Sequence, residues 1–276
     1  MPTRIYTLKA DGLHAVGYTA KSLAEAATYE PDEGVYTVAN TFDTDKTLKL
    51  EAHLDRLEDS AHRANIPLSL NRDALKSALR QMILEAGFGS VRFRVTVPKV
   101  TPDQFILSIE PFTPPSQAIK AGGVRCITVK DHARQNAAAK TTGWMHARKA
   151  LTEAMPEDIY DTFLLDDGGY LLEGLGSNFY AILNDELRTA DSGVLPGIAQ
   201  QIVFEIAPNI VPINKQAIHL DDLSSLQEAF LTSSSRGIIP IIEIDGVTIR
   251  SGQRGTYTQQ LQDLYDRWVQ EHLVTL

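Results

Sequence analysis

The chain has 276 residues, 43% of them hydrophobic, with 26 Lys and Arg against 35 Asp and Glu for a net charge of −9. That length and apolar content are enough for two compact units with their own cores, and the acidic balance argues against a phosphate-backbone partner, whose binding draws on clustered basic residues. One cysteine, Cys126, excludes an intrachain disulfide and a cysteine-rich metal site.

Cys126 reads as a buried strand residue, the usual place of a free thiol. The histidines show no metal-ligand spacing, so no metal is expected. Met1-Pro2-Thr3-Arg4-Ile5-Tyr6 is not a basic stretch followed by an apolar core, and the apolar runs are too short for a membrane span. A cytoplasmic protein with neither a membrane nor a nucleic-acid partner is expected.

A first strand is read over 34–42, followed by a polar turn at Asp43-Thr44-Asp45-Lys46, a short strand at 48–50 and a helix from about Glu51. A second helix opens after Asn71 as N-cap, carries Leu75, Leu79, Met82 and Ile83 on one face, and stops at Gly87 or Gly89. Strands follow at 91–97 and 104–109. In the former, Arg92 and Arg94 alternate with Phe93 and Val95 and so share a face, where salt bridges are favoured over a carboxylate site.

The run Pro111-Phe112-Thr113-Pro114-Pro115-Ser116 reads as a linker, because paired prolines extend the chain and end the preceding ladder. The division expected is a small α/β domain at 1–111, a linker at 112–121 and a larger domain at 122–276. In the second domain a strand at 162–165, the turn Asp166-Asp167-Gly168-Gly169 and a strand at 170–172 lead to Glu173 at a strand end. Another strand runs over 179–183, and a final amphipathic helix over about 255–272.

Three features carry chemistry. Lys140 follows Asn136-Ala137-Ala138-Ala139, so its amine leaves a slim stretch of backbone with room for a ring beside it. Glu173 lies 33 positions on. Leu195-Pro196-Gly197-Ile198 then opens a segment whose apolar positions 198, 202, 203 and 206 keep helical spacing, which puts Pro196 and Gly197 at a helix start where free N–H groups attract an anion. A lysine that can form a Schiff base, a carboxylate for a pyridine nitrogen and an anion-binding turn are the three handles of pyridoxal 5'-phosphate.

With two further segments, the chain resembles the fold-type IV pyridoxal-phosphate enzymes, which include branched-chain and D-amino acid aminotransferases and aminodeoxychorismate lyases. His53-Leu54-Asp55-Arg56-Leu57 matches the family's HxxRL segment, whose arginine reaches the cofactor phosphate, and Phe230-Leu231-Thr232-Ser233-Ser234-Ser235 matches a hydroxylated loop beside phosphate and substrate. The resemblance implies a two-domain α/β fold with the cofactor in the cleft between domains, and Lys140 as the Schiff-base residue. It also implies Glu173 on the pyridine nitrogen within an E-x4-N segment ending at Asn178, and Arg56, Ile198, Ala199, Ser234 and Ser235 on the phosphate. Tyr36 and Thr37 fall beside the substrate, with Tyr36 equally readable as core.

Two positions depart from the family pattern. Ala199 stands where many relatives have Thr or Ser, leaving only a backbone N–H for the phosphate. Thr37 stands where many aminotransferases have Glu, and is similar in this to aminodeoxychorismate lyases. The resemblance implies an aminotransferase moving an amino group between an amino acid and a 2-oxo acid, active as a homodimer. The alternatives are a lyase releasing pyruvate and, from another class, a noncatalytic pyridoxal-phosphate-binding protein.

Overall fold

The computed structural model describes residues 3–134 and 136–276. The chain forms two compact units. One takes the residues up to Thr113 with Ala139–Ala147 and His272–Leu276, and the other takes Pro114–Ala138 and Arg148–Glu271. Among the described residues, no helix is long and apolar enough to cross a membrane.

The first unit is an antiparallel sheet with helices packed on it. Its strands are β1 (Arg4–Lys9), β2 (Gly12–Ala15), β3 (Gly34–Phe42), β4 (Lys46–Leu48), β5 (Val91–Pro98) and β6 (Phe105–Pro111). Leu273–Thr275 adds an edge strand, giving the order Leu273–Thr275, β4, β3, β5, β6, β1, β2 among the described residues. Most of β3 is buried, as befits a central strand covered on both faces.

After the short helix α1 (Leu23–Ala26), the two long helices α2 (Leu50–Arg63) and α3 (Arg72–Ala86) cover the sheet with the stripes expected of amphipathic helices. Leu54, Leu57 and Ala61 from α2 join Leu75, Leu79, Met82 and Ile83 from α3 in one core with Val35, Phe93 and Val95. Each fully buried leucine contributes about 1.5–3 kcal/mol. Asn71 caps α3 by accepting from the Ala74 N–H at 3.0 Å, and Gly87 ends it with φ 64°. Both were expected from the sequence. The β1–β2 hairpin and the C-terminal strand were not, being short, partly exposed pieces without a clear alternation.

Arg94 and Glu30 form a buried ion pair in this unit. Arg94 is 4% exposed. It donates from Nε to Glu30 at 2.7 Å and from Nη1 to the Leu23 carbonyl at 2.9 Å, and the Thr96 hydroxyl completes the carboxylate at 2.5 Å. Arg92, on the same strand, has a half-exposed side chain 3.9 Å from Glu110.

The second unit opens with the short helix α4 (Gln117–Gly122), inside the stretch expected to be linker. Its strands are β7 (Val124–Val129), β8 (Asp161–Leu165), β9 (Leu171–Gly174), β10 (Asn178–Leu183), β11 (Glu186–Arg188), β12 (Ile213–Asn214), β13 (Glu228–Ser233), β14 (Gly237–Ile244) and β15 (Val247–Thr248). The order β10, β13, β14, β7, β8, β9 returns to β10, so these strands close on themselves. The closing pair is Asn178 with Glu173. Phe163, Phe179, Leu231 and Ile239 fill the interior together with Cys126, whose thiol is pushed up in pKa by burial. Helix α5 (Thr142–Glu153) is divided between the units, and α6 (Ile198–Ile206) and α7 (Thr256–Glu271) belong to the second.

Replacing Arg94 by Met should lower stability by about 3–5 kcal/mol, because it leaves the Glu30 carboxylate buried without its partner charge. A chemical denaturation midpoint measures this, and the double variant E30L/R94M should recover a large part of the loss.

Candidate active site

Lys140 is held in the first unit by its own backbone. Its N–H donates to the Ser60 hydroxyl of α2 at 3.1 Å, and its carbonyl accepts from the Tyr36 N–H of β3 at 3.0 Å. Val35 and Thr141 form an antiparallel bridge immediately beside it. The Thr142 hydroxyl then donates to the Asp32 carbonyl at 2.9 Å. Gly34 lies beside this passage, where a Cβ would come 2.7 Å from the Val97 carbonyl oxygen of β5 and 3.4 Å from the Thr142 side chain. With the main chain fixed on both sides, the Lys140 amine lies 4.7 Å from the centre of the Tyr36 ring, where a cation is attracted to the π face.

Tyr36 and Thr37 are successive strand residues and leave opposite faces of β3. Both are buried. The Thr37 hydroxyl is 2.9 Å from His53 Nδ1, and Arg56 donates to it from Nη2 at 3.4 Å. His53, fully enclosed in α2, has its pKa held well below the ordinary 6.5, first by burial and then by the positive charges of Arg56 and Lys140. It is a neutral imidazole.

In the second unit, Glu173 ends β9 at the closing seam with its side chain buried. Arg134 donates to one carboxylate oxygen at 2.8 Å, and the Leu195 N–H donates to the other at 2.9 Å. Asn178, across the seam, donates to the Leu195 carbonyl at 2.9 Å, so Leu195 is gripped through both of its peptide groups. That accounts for the spacing of the E-x4-N segment: the two residues face one another across the seam and hold the same turn.

The gripped turn leads into α6, with Gly197 as its N-cap. A Cβ on Gly197 would come 2.0 Å from the Asn178 side-chain oxygen. The first-turn N–H groups of Ile198 and Ala199 have no partner within the helix, the arrangement that favours an anion. Ala199 adds no hydroxyl.

Ser234 and Ser235 occupy the turn between β13 and β14. Arg236 fastens that turn by donating to the Ser233 hydroxyl at 3.0 Å, to Asp161 at 3.1 Å and to the Gly176 carbonyl at 3.0 Å. Asp161 also accepts from the Ser177 hydroxyl at 2.8 Å. The hydroxyl-rich turn and the segment after Glu173 are therefore tied to the same carboxylate.

Thus the structure brings Lys140, Tyr36, Thr37 and Arg56 into one neighbourhood of the first unit, and Glu173, Asn178 and the α6 turn into one of the second. Sequence reasoning missed His53, Arg134, Asp161 and Arg236 as supports. Arg236 had a usable signal, since it directly follows the serine run. Arg134, 39 positions before the carboxylate it holds, had none.

A family model for class IV amino-transferases matches residues 34–244. The chain belongs to the class IV aminotransferase family. A putative branched-chain-amino-acid aminotransferase of Methanocaldococcus jannaschii is 26% identical over 251 residues, covering 84% of this chain and 86% of that protein. A D-alanine aminotransferase of Listeria monocytogenes is 27% identical over 253 residues, covering 86% and 87%. In fold, the branched-chain aminotransferase of Thermoproteus uzoniensis, solved with norvaline, superposes with a TM-score of 0.81 at 22% identity over 100% of this chain and 99% of that one.

This aminotransferase is a two-domain α/β enzyme of fold type IV, and its cofactor is pyridoxal 5'-phosphate. The residues present fit that cofactor. A buried carboxylate accepting on both oxygens is stabilised in its ionised form and suits a protonated ring nitrogen. A helix start beside a glycine with no room for a side chain suits a phosphate.

Gly197→Ala should weaken cofactor binding about tenfold by forcing Asn178 off Leu195, and Asn178→Ala, which loses the same bond, should weaken it by a similar factor. An absorbance titration measures both, and an unchanged dissociation constant for Gly197→Ala would show that the turn is not held as described. For His53 the sign follows from its depressed pKa. The unfolded chain binds a proton at this residue below 6.5 and the folded protein does not, so its contribution is present above 6.5 and lost as pH falls through the folded value. Stability should fall by about 1.4 kcal/mol per pH unit in that window, and His53→Asn should flatten the pH dependence of the denaturation midpoint.

Proposed function

We propose that Lys140 carries the cofactor and performs the proton transfer, and that Glu173 pairs with the ring nitrogen. Arg56, the backbone of Ile198 and Ala199, and Ser234 and Ser235 hold the phosphate. The clamp on Glu173 carries this reading, because a carboxylate kept ionised by Arg134 and the Leu195 N–H raises the pKa of a base bonded to it and so keeps that base protonated. When bound, pyridoxal 5'-phosphate supplies the electron-withdrawing ring on which an amino group passes from one substrate to the next. The Lys140 amine is the base that takes the proton from the substrate Cα. Its fixed main chain and the Tyr36 ring restrict where that amine can point.

The donor is a neutral aliphatic amino acid and the acceptor a 2-oxo acid. The relatives named above are aminotransferases for branched-chain amino acids or D-alanine, all with small uncharged side chains. Arg94, the buried guanidinium of the first unit, is committed to Glu30. The enzyme is further read as a homodimer in the cytoplasm, on the strength of the family resemblance. Thr37 is the feature that favours a lyase, and the same relatives favour the transaminase.

Glu173→Gln should keep the cofactor yet slow the half-reaction with an amino acid by at least about 100-fold, the low end for a positioned proton-handling group. Stopped-flow rates equal to wild type would remove Glu173 from the ring nitrogen. L- and D-amino acids should be assayed with 2-oxoglutarate and pyruvate, where turnover confined to aliphatic donors is expected. Release of pyruvate from aminodeoxychorismate with every transamination pair at background would replace the transaminase reading by the lyase.

A further inference from the structure

The contacts of Thr37 have a direction set by chemistry. An arginine nitrogen can only donate, so Arg56 gives its proton to the Thr37 oxygen across 3.4 Å. The Thr37 hydroxyl then has its own proton to give. His53 Nδ1 stands 2.9 Å away, and as a neutral imidazole with its proton on Nε2 it accepts there. The order is Arg56 to Thr37 to His53, with Thr37 and His53 both fully enclosed.

We propose that Thr37 and His53 are positioning residues that aim the Arg56 guanidinium at the cofactor phosphate, and that Thr37 is not a substrate contact. The proposal rests on the reading of Arg56 as a phosphate ligand. Three observations carry it. The Thr37 hydroxyl, on the β3 face opposite Tyr36, is already bonded to two α2 side chains. His53 and Arg56 are one turn apart on α2 and meet at the same Thr37 hydroxyl, so a fixed imidazole fixes the oxygen to which the guanidinium donates. Ala199 supplies no hydroxyl at the α6 turn, so phosphate anchoring depends more heavily on how well Arg56 is placed.

At 3.4 Å the contact from Arg56 to Thr37 is long and steers the side chain more than it binds it. Thr37 therefore acts on the angle at which Arg56 is presented, which matters most for a planar guanidinium meeting a phosphate through two parallel donors. The threonine hydroxyl can do this without adding a negative charge beside the guanidinium.

The test compares pyridoxal 5'-phosphate with pyridoxal, which lacks the phosphate, as ligands of the full-length protein after removal of its cofactor. Dissociation constants are measured by absorbance and fluorescence for wild type, Arg56→Ala, Thr37→Val, His53→Phe and His53→Asn. Thr37→Val and His53→Phe should each weaken pyridoxal 5'-phosphate about three- to tenfold and leave pyridoxal unchanged, and His53→Asn, which keeps an acceptor near Nδ1, should recover most of the loss. If these variants weaken both ligands equally, or neither, while Arg56→Ala weakens only the phosphorylated one, the positioning role is overturned and Arg56 remains the phosphate ligand. If Arg56→Ala itself loses no preference for the phosphorylated ligand, the reading of Arg56 fails first. Should His53→Phe not fold, Thr37→Val decides by the same criterion.

Discussion

The pairing of Glu173 with Asn178 at the seam of the second unit is the constraint from which the rest of that unit's site follows. Strands β10, β13, β14, β7, β8 and β9 close through this pair, and both residues reach from it to Leu195, one to its N–H and the other to its carbonyl. Closing the sheet and placing the turn before α6 are thus one act. A side chain at position 197 would have to displace Asn178, which occupies the space it would need. The negative charge of Glu173 is tolerable in burial because Arg134 and a peptide N–H answer it, and a charge held in that way is available to a proton on a ring nitrogen.

The first unit solves a different problem, that of presenting a lysine amine and an arginine from elements that would otherwise leave both free to move. The main chain at Lys140 is stitched to α2 through Ser60 and to β3 through Tyr36, with Thr142 fastening the residues that follow. Rotamer entropy is thereby restricted to the lysine stem. The cost is a crowded set of positive charges, and the fold accommodates it by keeping the buried His53 neutral near Arg56 and Lys140. A threonine at position 37 fits that solution.

Supports around the second unit's residues come from Arg236, directly after the serine run, and from Asp161, far from it in sequence. Arg236 ties the serine turn to Asp161, and Asp161 ties it again to Ser177 in the segment after Glu173. These contacts leave the loop hydroxyls to be presented by a fastened backbone. Loops that carry function are usually set on a rigid frame, and here an arginine and a buried aspartate make the frame.

Local physics was legible in the sequence. The stripe of α3, its Asn71 cap and glycine stop, the hairpin before Glu173 and the helix start after Gly197 all follow from periodicity and turn chemistry within a dozen residues, and the lysine, carboxylate and anion-binding turn together named a cofactor. Tertiary structure alone decided what lies far apart in sequence. It returned Ala139–Ala147 and His272–Leu276 to the first unit without any composition change to mark the crossings. It placed Arg134 on Glu173, Arg94 on Glu30 and Thr37 on His53. A hydrogen bond between distant residues leaves no period in the sequence, because its partners are chosen by strand register and helix packing that exist only once the chain has folded.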